Sequence, residues 1–152
     1  MKESVLGTTI VTQIGIIVRD IEQTAKDYAH FLGIEVPPIG ITDEYRISKA
    51  EYMGKPTHAQ ARQAFFEVGS TIQIELLEPV GEASTWADFL AEKGEGVHHI
   101  AFCVKDMAEA VYHCQKLGFP LIQKGSWATG EYSYMDTSSK LKVITELLAS
   151  HE

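Results

Sequence analysis

Residues 13–34 read QIGIIVRDIEQTAKDYAHFLGI, and residues 99–119 read HIAFCVKDMAEAVYHCQKLGF. At a spacing of 86 residues, Gln13 falls on His99, Ile14 on Ile100, Val18 on Val104 and Asp20 on Asp106. One gap later, Leu32-Gly33 falls on Leu117-Gly118. The ends of the two halves match as well, Glu75-Leu76-Leu77 in IQIELLEP answering Glu146-Leu147-Leu148 in VITELLAS. Matches in the same order mark a tandem duplication, and a repeat of this kind decides the fold.

Each repeat reads as βαβββ. The β-branched runs 11–18 and 97–104 are strands. Asp20 and Asp106 follow as helix N-caps, with Gln23 and Glu109 three residues on in an approximate capping box. Helices are expected over 21–32 and 107–117, ended by Gly33 and Gly118 at the position where a left-handed backbone is wanted. Three further strands follow in each unit, near 44–52, 60–68 and 71–78 and near 119–125, 130–136 and 141–148. Segments 35–43 and 53–59 read as loops, and the stretch 79–96 as a linker holding a short helix over 85–93. The expectation is a single α+β domain over 1–152. Module one spans about 10–78 and module two about 97–149, together forming a curled mixed sheet around a cavity with the helices on the outer face.

The composition is ordinary for a globular chain of 152 residues, with 45% hydrophobic and 22% charged residues. Asp and Glu outnumber Lys and Arg by 21 to 13, a net charge of −8, which counts against nucleic-acid and anionic-membrane partners. No apolar run is long enough to span a membrane, and MKESVLGTT at the N-terminus is too polar for a signal peptide. Cys103 and Cys114 form no CxxC pattern and read as reduced thiols, so the expected location is the cytoplasm.

Period-two arithmetic sorts each strand into two faces. Ile72, Ile74 and Leu76 share one face of the strand over 71–78, leaving Glu75 on the other. Val143, Thr145 and Leu147 leave Glu146 opposite in the same way. Ile14, Ile16 and Val18 suit the helix side and leave Gln13 opposite, and Ile100, Phe102 and Val104 leave His99. Gln13, Glu75, His99 and Glu146 therefore project from the non-helix face and converge on one cavity. Two carboxylates ~4 Å apart repel by about 4 kcal/mol at an effective dielectric of 20. A sheltered pair must protonate, separate or find a cation. One nitrogen and three oxygens is a hard donor set that suits a divalent ion such as Mn, Co, Ni, Zn or Mg.

At this point the chain resembles the vicinal oxygen chelate superfamily, which includes glyoxalase I, methylmalonyl-CoA epimerase, extradiol dioxygenases and bleomycin-resistance proteins. The resemblance spans about residues 10–149 and rests on QIGIIVRDIEQT, IQIELLEP, GEGVHHIAFCVKDM and YSYMDTSSKLKVITELL. It implies paired βαβββ modules curled around a metal and substrate cavity, with one divalent metal ion held by Gln13, Glu75, His99 and Glu146. Most metal-holding members have His where this chain has Gln13. The same departure counts against a dioxygenase, whose iron needs two His and a carboxylate. The epimerase resemblance implies a second acidic residue on the third strand, where this chain has Arg62-Gln63-Ala64. The resemblance also implies a homodimer.

The function expected is a metal-dependent proton transfer next to a carbonyl of a small-molecule or thioester substrate. It would be a glyoxalase-type lyase, an isomerase or an epimerase, with Glu146, then Glu75, as the general base and acid. The alternative is a metal-free binding or resistance protein. His98 is expected on the helix side. His30 and His113 are expected on exposed helix surface, and His58 in a loop. Trp86, Trp127, Tyr132 and Tyr134 are candidates for lining the substrate pocket, and the loop 125–130 for its mouth. Arg46, Lys49 and Arg62 are candidate anion anchors, and Cys103 carries no sign of activation.

Overall fold

The structure, a computed structural model, describes residues 3–151. Met1, Lys2 and Glu152, which the single-domain and N-terminal readings included, lie outside it. Ten strands form one mixed sheet that curls on itself, in the order β2-β5-β6-β1-β7-β10-β9-β8-β3-β4. Strands β1 (Gln13–Ile17) and β7 (Gly96–Cys103) sit at its centre and pair antiparallel. Each is flanked on its other side by a parallel partner, β6 (Ile72–Val80) beside β1 and β10 (Ile144–Ser150) beside β7. Beyond these, β5 (Gln60–Val68) pairs antiparallel with β6, and β9 (Gly130–Met135) with β10 and β8 (Leu121–Trp127). The duplication thus becomes a local twofold between β1 and β7.

The module helices α1 (Ile21–Leu32) and α4 (Met107–Lys116) cover the outer face. In α1, Ile21, Ala25 and Ala29 repeat every four residues. Small side chains there let the helix settle close to Ala64, Phe66 and Leu76. Ala110 and Cys114 do the same in α4 against Phe119, Met135 and Leu147. Asp20 and Asp106 cap the two helices, each accepting from the backbone N–H three residues on, at 3.1 and 3.0 Å. Gln23 donates to Asp27 instead of returning to its cap, so only the forward half of that box forms. Gly33 ends α1 at φ 71°, where a side chain would be strained.

The linker helix α3 (Thr85–Lys93) lies on the inner side of the curl. Trp86, Phe89 and Leu90 pack there with Ile17, Ala61, Leu77 and Tyr134, all on the inner face of the sheet. One end of the curl is closed in this way. Ser84 caps α3 by accepting from the N–H of Ala87 at 3.0 Å.

Of the strand expected over 44–52, only Glu51–Tyr52 forms. Tyr45–Ser48 makes a single helical turn, α2, which Lys49 ends at φ 47° by returning its N–H to the carbonyl of Tyr45. Ile47 is exposed and Ser48 buried, so the apparent alternation was not a strand face. Short pieces flank this turn. β2 (Gly40–Ile41) extends the sheet beside β5, and β3 (Glu51–Tyr52) and β4 (Lys55–Pro56) form a small hairpin beside β8. β2 and β4 lie in segments expected as loops, whereas β3 is the end of the stretch expected as a strand. At the other end, α5 (Ser138–Leu141) delays β10 to Ile144. Ser84→Ala is expected to cost about 1 kcal/mol in urea unfolding with an unchanged m-value, as the loss of one helix cap does.

Candidate functional site

The four inner-face residues meet where the two halves join. Gly15 of β1 stands opposite Glu75 on one side and His99 on the other, and Ala101 of β7 stands opposite Glu146. His99 is fully buried, and Gln13, Glu75 and Glu146 are no more than 6% exposed. His99 Nε2 lies 3.1 Å from Gln13 Oε1, 3.5 Å from Glu75 Oε1 and 3.4 Å from Glu146 Oε1. Gln13 Oε1 is itself 3.2 Å from Glu75 Oε1 and 3.0 Å from Glu146 Oε1.

Two local features of the backbone make this meeting possible. The first is Gly15, which the sequence reading passed over. A Cβ built there would lie 2.0 Å from His99 Cε1, so the imidazole occupies the space a side chain would take. A glycine inside a β-branched run was the available signal, since it marks a close approach. The second is a bulge, in which Gly15 pairs with His99 but Ile16 with Val97, leaving His98 as the extra residue. Strict alternation would send His98 to the outer helices. The bulge instead turns it inward, edge-on to Phe89 of α3 and Tyr134. His98 Nδ1 lies 2.9 Å from His99 Nδ1, and His98 Nε2 lies 3.0 Å from the Thr85 hydroxyl. With the Nε2 lone pair of His99 facing the site, its Nδ1–H donates to His98, whose Nε2–H donates to Thr85. Both tautomers are set by that chain.

Burial governs the charges. It pushes the Glu75 carboxyl up to about 8, against a hydrogen bond from Gln63 Nε2 to Oε2 at 2.8 Å. Glu146 is held well above the carboxylate range by burial and then by Glu75, with Tyr134 opposing. His99 is lowered to about 3 by burial, and His98 falls for the same reason with His99 beside it. The short contacts to His99 are therefore not ion pairs. The neutral carboxyls can donate to the His99 lone pair. Once both give up their protons, the facing oxygens and His99 Nε2 offer only lone pairs to one point, the arrangement a cation satisfies. Ligand atoms on adjacent positions around an ion at about 2.1 Å are about 3.0–3.4 Å apart, close to the 3.0 to 3.5 Å of these contacts. The donor set of one imidazole, one amide oxygen and two carboxylates fits a divalent ion of the Mg, Mn, Co, Ni or Zn kind.

The site forms the floor of a cavity of about 460 Å3, lined by Gln13, Gln63, Gln73, Glu75 and Glu146 among polar residues. This is ordinary ligand-pocket size. Trp86, Trp127, Tyr132 and Tyr134 all line it, as does Ser126; the expected loop 125–130 is instead the end of β8 and a two-residue turn into β9. Asp43, unremarked in the sequence, is the third carboxyl on the wall. The three anion-anchor candidates lie elsewhere. Arg62 bridges Glu22 and Glu78, Arg46 pairs with Glu44, and Lys49 sits over the Tyr45 ring. His58 contacts Glu82 outside the cavity, and His30 and His113 are exposed on their helices. No helix of the described residues is long and apolar enough to cross a membrane.

The duplicated, curled fold is shared with known proteins. Residues 12–134 match the Glyoxalase/Bleomycin resistance protein/Dioxygenase superfamily, and the chain belongs to that superfamily. Among curated relatives, the uncharacterized protein YqjC of Bacillus subtilis is 31% identical over 101 residues, a match covering 64% of this chain and 61% of that protein's length. The ethylmalonyl-CoA/methylmalonyl-CoA epimerase of Cereibacter sphaeroides is 29% identical over 123 residues, 80% of this chain and 81% of that one. Among solved structures, Streptomyces coelicolor methylmalonyl-CoA epimerase in complex with 2-nitronate-propionyl-CoA superposes with a TM-score of 0.66 at 25% identity, covering 95% of this chain and 99% of that chain.

Two outcomes follow from this geometry. Carboxyls that hold their protons more tightly when folded stabilise the protein at low pH, and that contribution is lost as pH rises through the folded value. The lowered histidines act oppositely, but their contribution is complete above their ordinary 6.5. In chelator-treated protein, Tm is therefore expected to fall from pH 6.5 to 8.5, and the Glu75→Gln/Glu146→Gln pair to flatten that fall in differential scanning fluorimetry. Gly15→Ala is expected to displace the His99 ring and weaken divalent-cation binding at least tenfold in titration calorimetry.

Proposed function

We propose that this protein is a divalent-cation-dependent enzyme that moves a proton on the carbon next to a carbonyl, of the epimerase or isomerase type, with a small acyl thioester as substrate. The observation that carries the reading is the meeting of Gln13 Oε1, His99 Nε2, Glu75 Oε1 and Glu146 Oε1 at the floor of a sheltered cavity. A cation held by these four residues supplies a Lewis acid for the substrate carbonyl, which acidifies the adjacent C–H. Likeness to two proteins named as acyl-CoA epimerases favours this chemistry over a glyoxalase-type lyase.

Glu146 is the residue assigned to take the α-proton. Inversion at that carbon requires the enolate to be reprotonated from its other face by a second donor, for which Glu75 is the other carboxyl at the site. Its carboxyl faces the cavity, and the residue that stabilises its charged form is Tyr134. Trp86 Nε1 donates to the Tyr134 oxygen at 3.1 Å, which leaves the phenol proton free for Glu146. Glu75 is the more firmly held carboxyl, gripped at Oε2 by Gln63 while Oε1 faces His99. Glu146 therefore moves more easily between holding and exchanging a proton, and Glu75 is the second choice. Trp86, Tyr132, Tyr134 and Leu148 line the wall and shelter the carbon acid from water. The superfamily likeness further supports a cytoplasmic homodimer, which analytical ultracentrifugation of untagged protein checks.

The test pairs metal content with isotope exchange. Untagged protein prepared without chelators is expected to carry about one divalent ion per chain by plasma mass spectrometry. It is expected to wash solvent deuterium into the α-carbon of 2-methyl-branched acyl-CoA thioesters. Glu146→Gln, assayed with the cation added back to saturation, should slow exchange at least a hundredfold, the usual weight of a general base. A protein that takes up no Mg, Mn, Co, Ni or Zn and catalyses no exchange is instead a binding protein.

A further inference from the structure

Gln13 is an amide among acceptors, and only one of its two orientations makes it a ligand. Its oxygen faces His99 Nε2, Glu75 Oε1 and Glu146 Oε1, while its Nε2 donates to Gln73 Oε1 at 2.9 Å. The Gln73 amide in turn donates through Nε2 to Glu67 Oε1 at 2.6 Å. Glu67 lies on β5 directly opposite Gln73 on β6, and its carboxylate reaches solvent. Resting on the cation site proposed above, we infer that Gln73 and Glu67 are positioning residues that aim the Gln13 oxygen into the site.

The logic is one of polarity passed along a chain. A carboxylate can only accept, so Glu67 holds the NH2 end of Gln73 outward and turns its oxygen toward Gln13. Gln13 must then spend its NH2 on Gln73 and present its oxygen inward. Without a cation, the opposite orientation of Gln13 is attractive, because its NH2 would reach Glu75, Glu146 and His99 at 3.2, 3.0 and 3.1 Å. That turn sets two amide oxygens against each other at 2.9 Å unless Gln73 turns too. Turning Gln73 sets its oxygen against Glu67 at 2.6 Å. The surface carboxylate therefore biases a buried ligand through one intervening amide, as outer hydrogen-bond partners of metal ligands do. An imidazole at position 13 would need no such device, and the relay is what allows an amide to stand there.

The test reads cation affinity and cation-free stability together. Wild type, Gln73→Leu and Glu67→Lys are titrated with Mn(II) by electron paramagnetic resonance, and their Tm is recorded after chelation. Gln73→Leu is expected to weaken Mn(II) binding about tenfold or more. Glu67→Lys reverses the polarity of the chain and should weaken binding at least as much. In both, the chelated protein should melt no lower than chelated wild type, because Gln13 is free to satisfy the carboxyls. A residue with a merely structural role would lower both quantities. In a Gln13→His background the effect of Glu67→Lys should disappear, which separates the relay from a through-space effect of charge. Wild type that binds no Mn(II) overturns the cation site and the relay with it. Wild type that binds while Gln73→Leu and Glu67→Lys bind equally well overturns the relay alone. Glu67 is on the surface, so its variant decides the matter even if Gln73→Leu fails to fold.

Discussion

Two glutamates, one from each half of a duplicated chain, are buried against a single imidazole, and the rest of the molecule is arranged around that crowding. Charged, such a pair would repel by about 4 kcal/mol at ~4 Å in a medium of effective dielectric 20. Burial without a counter-charge makes matters worse by favouring the neutral carboxyls, which is why Glu75 and Glu146 are both raised and His99 lowered. Folding keeps this arrangement because other parts of the chain hold it in place. Gln63 grips one carboxyl, His98 and Thr85 fix the imidazole, and Gln73 fixes the amide. Apolar packing on both faces of the sheet supplies the stability that such a site consumes.

The local twofold explains how the crowding arises, and its breakdown explains why the result is useful. Parallel pairing of β1 with β6 and of β7 with β10 puts a carboxyl from each half beside the central antiparallel seam. Perfect symmetry would offer matching groups from β1 and β7. The chain instead offers an amide and an imidazole, with Gly15 on one side of the seam and Ala101 on the other. Only the glycine side leaves room for a ring to lie across the backbone. The two halves share a fold, but they supply chemically different groups to one point.

Much of this was legible in the residues. The helix over 21–32 begins and ends where its caps say, because capping and glycine termination are local effects, and the short helix expected over 85–93 forms as Thr85–Lys93. Alternation along regular strands brought Gln13, Glu75, His99 and Glu146 to one face. It failed at His98, because a bulge adds one residue to one strand and shifts the parity of everything near it. It failed again over 44–52, where Tyr45–Ser48 forms a helical turn that the left-handed Lys49 ends. Gln63, Gln73 and Glu67 were out of reach for a different reason. Their role lies in hydrogen bonds between neighbouring strands, and such bonds leave no periodic trace along the chain.

The placement of α3 has a consequence for traffic. Because Trp86, Phe89 and Leu90 plug one end of the curl, the cavity is a cul-de-sac rather than a tunnel. The exposed rims of Ile41, Phe65 and Trp127 stand around the remaining opening. Anything larger than the cavity must enter head first and leave its bulk in solvent, and must back out along the path it came by. A cavity of about 460 Å3 therefore sets how much of such a molecule is enclosed. What trails behind is handled by the outside of the molecule.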